Sequence, residues 1–199
     1  MGMPTIDQLM VLCQVARSVF PSAIIAGGAP RDVLSGVPVK DIDVFVELNA
    51  DQLGEPESEF VLACRIFALA IGGEAEMRPS NGHYARFLDL CDITKDGVKG
   101  AVQVIGLTCN PIDDVPKYDF DLSQVFVTPT GLFMTQAASM ARTLRVITFT
   151  PFAADAATML RSKARLERLR AKYQGWQFAN TEALDALVTA QPLEPVAAS

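Results

Sequence analysis

Several routes to function are closed by what this 199-residue sequence lacks. No apolar run approaches the roughly 20 residues that a bilayer-spanning helix needs. There is one histidine, His83, and the four cysteines (Cys13, Cys64, Cys91 and Cys109) show no CxxC spacing. The chain therefore has neither the soft-ligand cluster of a zinc site nor the dense pairing of a small secreted scaffold. All four cysteines read as small buried hydrophobes. There is no GxSxG, which excludes the nucleophile elbow, and neither GxxxxGK[ST] nor GxGxxG, which excludes the P-loop and the dinucleotide fingerprint. Lysine and arginine number 17 against 23 acids, for a net charge of -6, so a general cationic coat for nucleic acid is excluded. The first residues carry no basic leader and place Asp7 in an amphipathic pattern, unlike a signal peptide. MGMPTI lacks the Ser or Thr of a myristoylation signal. The cytoplasm is the expected compartment.

What is present is an ordinary globular balance, 50% hydrophobic and 20% charged. The length suits one domain with or without a helical appendage, burying about two-thirds of the unfolded chain's surface. Residues 5–20 show helical spacing with Thr5 as N-cap. Residues 22–26 (SAIIA) form a buried strand running into Gly27 and Gly28, with a short helix starting near Pro30. Residues 41–47 (DIDVFVE) form a second strand, with Ile42, Val44 and Val46 on one face and Asp41, Asp43 and Phe45 on the other. A polar connector at 49–56 leads to a helix over 57–71. Strands follow at 74–78 and 83–93, around a turn at 79–82. A Lys95-Asp96-Gly97 hairpin turn joins the latter to a strand over 98–107. A strand at 121–127, a helix near 135–142, an apolar stretch at 144–149, a basic helix over 155–174 and a shorter helix over 181–190 complete the chain. The tail QPLEPVAAS reads as mobile. The fold class is α/β (α+β): a mixed β-sheet flanked by helices, with a catalytic domain over 1–150 and a helical extension over 151–199.

Residues 24–47, IIAGGAPRDVLSGVPVKDIDVFVE, carry the chemistry. A buried strand delivers two glycines to a helix start, where the backbone can approach a ligand closely and N–H groups favour phosphate. Arg31 follows in the first turn, placed either to bind a triphosphate or to brace the site. The next strand presents Asp41 and Asp43 side by side. Like charges at i and i+2 on a strand repel, and become sensible when a divalent cation sits between them. Magnesium suits the pair, since it takes oxygen ligands and combines one or two carboxylates with substrate phosphates. Manganese is the alternative ion. Either element alone is commonplace in proteins; the two together, in this order, are far more specific.

Gly27-Gly28-x-x-Arg31-Asp32-x-Leu34-x-Gly36, followed by Asp41-Ile42-Asp43-Val44, resembles the head-domain signature GGxVRDxLLG…DxD of the tRNA CCA-adding and poly(A) polymerase branch of the polymerase-beta-like nucleotidyltransferases. Pro30 replaces the usual valine, and KYDFDLS at 117–123 is similar to that branch's RRDFTINA motif in its Asp-Phe core. The segment RLERLRAKYQGW at 165–176 resembles a helix end of minimal phage and bacterial members. The resemblance implies a nucleotidyltransferase fold and magnesium-dependent transfer of a nucleoside monophosphate from an NTP, ATP included, to an acceptor hydroxyl, foremost an RNA 3′ end. It further implies Asp41 and Asp43 as catalytic metal ligands, Gly27, Gly28 and Arg31 as nucleotide-binding, and Asp32 as a structural or ribose-facing residue. The family's third acid, on a later strand, is replaced in AVQVI (101–105) by Gln103, a weaker ligand that accepts no proton. Asp121 or Asp119 is the expected substitute, with solvated turn acids as the other reading. CCA-adding enzymes carry large domains beyond the head, so a minimal relative is expected rather than a full one.

Two further features bear on partners and chemistry. Residues 161–172 hold Arg161, Lys163, Arg165, Arg168, Arg170 and Lys172 with Glu167 as the one acid. They read either as a track for the phosphates of RNA or tRNA, with Tyr173, Trp176 and Phe178 stacking a base, or as a solvated basic face with aromatics on the core. His83 reads as a half-exposed turn residue. The rival functions are a catalytically weak nucleotide- or RNA-binding module, for which Gln103 speaks, and an interaction protein of a phage-type complex.

Overall fold

Thr5 opens the first helix with a reciprocal cap. Its hydroxyl accepts from the Gln8 N–H at 3.2 Å, while the Gln8 side chain accepts from the Thr5 N–H at 2.9 Å. The computed structural model describes residues 4–48, 59–78, 87–150 and 155–187, with the side chains of 87–89 excepted. The expected connector at 49–56, the turn at 79–82 with His83, and the tail at 191–199 lie outside the described residues.

In chain order the elements are α1 (Ile6–Arg17), β1 (Ile24–Ala26), α2 (Gly28–Leu34), β2 (Ile42–Glu47), α3 (Glu59–Ala70), β3 (Gly73–Arg78), β4 (Phe87–Lys95), β5 (Val98–Leu107), α4 (Pro111–Asp114), β6 (Val125–Thr128), β7 (Gly131–Met134), α5 (Gln136–Leu144), β8 (Val146–Thr148), α6 (Ala156–Lys172), β9 (Gln177–Ala179) and α7 (Glu182–Asp185). Short 3-10 turns occupy Val115–Lys117 and Asp121–Ser123. Seven strands form one mixed sheet in the order β3-β4-β5-β2-β1-β6-β7. β2 and β5 run parallel and every other neighbouring pair in that sheet is antiparallel. Asp96 and Gly97, at φ 51° and 76°, turn the β4–β5 hairpin in the manner of a type I′ turn.

Side-chain alternation divides the sheet. Ile25, Val44, Val46, Cys91, Ile93, Val102 and Val104 face α1 and α3, and join Leu9, Cys13, Phe60, Cys64 and Phe67 in the main core. Burying an aromatic or aliphatic side chain of this size contributes about 1.5–3 kcal/mol. Ile24, Ala26, Phe45, Leu107 and Val115 form a second cluster on the opposite face. A third joins Phe120, Leu122, Ala141, Ile147 and Phe149 to Leu166, Leu169, Tyr173 and Leu184, so it draws on both sides of residue 150. As expected, Cys13, Cys64 and Cys91 are buried free thiols; Cys109 is half-buried.

Three expectations are corrected. Residues 121–127 are not one strand: a 3-10 turn precedes β6, because the Asp121 carboxylate accepts from the Leu122 N–H at 2.6 Å and folds the chain back on itself. The apolar stretch at 144–149 is split by Arg145, a left-handed helix cap at φ 54°, and leaves the three-residue strand β8, paired in parallel with β9. The helix expected over 181–190 is a single turn, α7, within the described residues.

Candidate active site

The glycine turn is a consequence of its backbone. Gly27 has φ 75° and ψ -118°, a conformation that a side chain disfavours. Its N–H donates to the Val125 carbonyl at 2.9 Å, which ties the turn to β6. A Cβ at Gly27 would stand 3.5 Å from the Tyr118 ring. α2 starts at Gly28 and lasts seven residues, with Pro30 inside its first turn.

Asp41 lies just before β2 and Asp43 is its second residue. Both are half-buried, whereas Val44, Phe45 and Val46 immediately beyond are buried, so the carboxylates stand at the open end of the strand. Lys40 Nζ donates to Asp41 Oδ2 at 2.9 Å. Burial and then the neighbouring Asp41 push the Asp43 carboxyl up to about 7, with Arg165, Lys40 and Arg31 acting in the opposite direction. This is a repulsive pair whose charge a dication would neutralise. Among the described residues no three His, Cys, Asp or Glu side chains are grouped to hold a metal ion. Hard carboxylate oxygens at an open strand end nevertheless fit magnesium, which completes its shell with water and phosphate.

The parallel β2–β5 register sets Asp43 directly opposite Gln103. The adjoining antiparallel registers continue the row, Gln103 opposite Asp92 and Asp92 opposite Glu76. Gln103 Nε2 donates to Asp92 Oδ1 at 2.8 Å, and the other Asp92 oxygen is paired with Arg78 Nε. Asp92 is fully buried, and sequence reasoning missed it. Its signal was an acid on the face of β4 opposite the core residues Cys91 and Ile93, a costly placement without a partner.

Arg31 and Asp32 are turned inward. Arg31, 7% exposed, donates through Nε to Asp32 Oδ1 at 2.7 Å and through Nη1 to Ser123 Oγ at 2.9 Å, and lies over the Tyr173 ring. Asp32 also accepts from Tyr173 OH at 3.0 Å and Lys172 Nζ at 2.5 Å. Of the two roles expected of Arg31, bracing is the one its hydrogen bonds describe. Asp32 joins α2 to the end of α6. Asp121 is buried, which raises its pKa; its Oδ1 accepts from the Leu122 and Thr148 N–H groups, linking its turn to β8. Asp119 accepts from Ser162 Oγ at 2.8 Å and is paired with Arg165.

The cations of α6 are largely engaged in the same way. Arg170 forms a bidentate pair with Asp185 at 2.7 and 2.9 Å, Lys163 donates to the Leu187 carbonyl, and Arg161 donates to Thr158 Oγ1 at 2.9 Å. Arg168 is exposed. Tyr173 is buried in the third cluster, and Trp176 and Phe178 pack against it. The aromatics therefore follow the core reading.

No protein-family profile matches the chain, and no curated protein sequence does. Solved structures do. The Thermotoga maritima CCA-adding enzyme complexed with tRNA superposes with TM-score 0.57 over 92% of this chain and 45% of its own length, at 17% identity. The chain carries a nucleotidyltransferase fold. A tRNA-processing enzyme with CTP matches with TM-score 0.57 over 87% of this chain and 44% of its own, at 20% identity. A tRNA nucleotidyltransferase complexed with a primer tRNA and an incoming ATP analogue matches with TM-score 0.55 over 87% and 48%, at 19% identity. The chain thus spans less than half the length of these structures. No helix among the described residues is long and apolar enough to cross a membrane.

Proposed function

We propose that the chain is a magnesium-dependent nucleotidyltransferase that moves a nucleoside monophosphate from an NTP to an acceptor hydroxyl, foremost at an RNA 3′ end. The observation that carries this reading is the Asp41–Asp43 pair at the open end of β2, one strand away from the Gly27 turn, on a nucleotidyltransferase fold. Asp41 and Asp43 would hold the metal, which when bound neutralises charge on the triphosphate and favours in-line displacement of pyrophosphate. Gly27 and Gly28 let the backbone approach the phosphates. Arg31 and Asp32 keep α2 in place, through the buried bonds to Ser123, Lys172 and Tyr173. Arg168, together with whichever paired cations of α6 exchange partners, is the proposed contact to RNA or tRNA phosphates.

The test is incorporation of label from each α-labelled NTP into total RNA and protein, with magnesium or manganese, for wild type beside Asp41→Asn/Asp43→Asn. Label that appears with wild type and disappears with the double variant supports the enzyme, and the labelled species names the acceptor. A second reading, a nucleotide- or RNA-binding module with little chemistry, is favoured by the neutral Gln103 level with Asp43. It predicts no label while triphosphate binding persists.

A further inference from the structure

The two halves of the candidate site are joined by a link that other elements hold. The Gly27 turn leads into α2, Asp41 and Asp43 stand at the start of β2, and residues 35–40 connect them. Residues 37–41 belong to no helix or strand. Two cations from late in the chain grip this link. Arg142 of α5 donates through Nη2 to the Leu34 carbonyl at 3.0 Å and through Nη1 to Ser35 Oγ at 3.2 Å. Lys172, at the end of α6, donates to Asp32 Oδ2 at 2.5 Å and to the Pro38 carbonyl at 3.4 Å. Val37, between these points, packs against the third core cluster. Charge alone explains neither cation. Asp32 already has Arg31 as an ion-pair partner, so what Lys172 adds is the span from α2 to Pro38. Both acceptors of Arg142 are neutral. Capping a helix C-terminus accounts for its bond to Leu34, and the bond to Ser35 carries the grip into the link.

We infer that Lys172 and Arg142 are positioning residues which, by gripping the link from α6 and α5, fix the Gly27 turn and the Asp41–Asp43 pair relative to each other. This rests on the reading of the turn and the pair as phosphate and metal sites. The sheet does not settle that spacing by itself. Pairing between β1 and β2 ends at Ile25–Val44, short of Gly27 on one strand and of Asp43 and Asp41 on the other. The turn is tied instead to β6 through the Gly27 N–H, and Asp43 is level with Gln103 on β5. Asp41 lies before β2 begins, at the end of the link itself. A triphosphate at the turn and a cation on the pair bind one another as well as the protein. Each strengthens the other only when the two sites are spaced for the same molecule. A misplacement of about 1 Å in such an arrangement can cost about 100-fold. The helical extension thereby acts on the chemistry without touching the substrate, through two donors to the link.

The experiment is calorimetric titration with α,β-methylene ATP, with and without Mn2+, beside titration with Mn2+ alone. Wild type is expected to bind the analogue about tenfold more tightly when Mn2+ is present. In Lys172→Met and in Arg142→Met, each ligand alone is expected to bind within about twofold of wild type, while the gain from Mn2+ falls to about twofold. Lys172→Arg and Arg142→Lys keep a donor within reach of the link and are expected to recover most of the gain. A purely stabilising role would lower the melting temperature of the Met variants and leave the gain at its wild-type size. That result overturns the inference and leaves the reading of the site standing. Should Lys172→Met fail to fold, Arg142→Met decides, because its loss strands only a carbonyl and a hydroxyl. A gain that survives Asp41→Asn/Asp43→Asn, or that is missing from wild type, overturns the reading of the site and the inference with it.

Discussion

Asp43 is a residue whose ionisation works against the fold. Its carboxyl is raised from 3.8 to about 7 by burial and by Asp41, so the folded chain binds its proton more tightly than the unfolded chain does. Stability from this residue is full at low pH and is lost as pH rises from about 4 to about 7, since the unfolded state releases the proton first. Asp43→Asn should therefore raise the melting temperature of the metal-free protein at pH 8 and leave it nearly unchanged at pH 4, as scanning calorimetry would read. An equal gain at both pH values would remove the titration as the cause. Asp32 has the opposite character. It is 2% exposed and serves Arg31, Lys172 and Tyr173 together. Asp32→Ala leaves the buried Arg31 without its carboxylate and is expected to cost about 3–5 kcal/mol in urea unfolding. A cost below about 1 kcal/mol, the range of an exposed pair, would refute the buried brace.

At the scale of elements, the β1–turn–α2 corner places the chemistry. Gly27 has a positive φ and a bond from its N–H to β6, so the turn and the sheet are one piece. Gly27→Ala is expected to destabilise the chain by about 1–3 kcal/mol through backbone strain at its positive φ, the new methyl meeting Tyr118 only at ordinary van der Waals distance. Wild-type stability in that variant would show that the corner relaxes at no cost. Most elements were legible in the sequence because their signals are local. Thr5 and Gln8 three residues apart cap α1, and Asp96-Gly97 requires the left-handed turn of the β4–β5 hairpin. The Asp121 segment was not legible as a 3-10 turn. What folds it is an acceptor shared by the Leu122 N–H and the Thr148 N–H, and the second of these is 27 residues away.

For the whole molecule, the third core cluster decides how far the catalytic part can be separated from α6. Phe120, Leu122, Ile147 and Phe149 before residue 150 pack with Leu166, Leu169, Tyr173 and Leu184 after it. A chain ending at residue 150 would expose these faces and lose Lys172 and Tyr173 from Asp32. It is expected to lose cooperative thermal unfolding by circular dichroism and to bind a hydrophobic dye. A truncated chain that melts as sharply as the full one would establish 1–150 as an independent domain. Of the six cations of α6, Arg165 and Lys172 bond across to Asp119 and Asp32, so the basic helix read from the sequence is in part an internal seam.

The sequence alone determined the glycine turn, the carboxylate pair, the strand carrying that pair and the neutral Gln103, because each depends on residues close in the chain and on the period of a strand or helix. Tertiary structure alone decided which groups meet. Register set Gln103 between Asp43 and Asp92, two inter-strand relations that no local pattern encodes. Packing of α6 turned Arg31 and Asp32 into a buried brace, since partners 140 and 141 residues apart in the chain come together only when the sheet and the last helix are both in place.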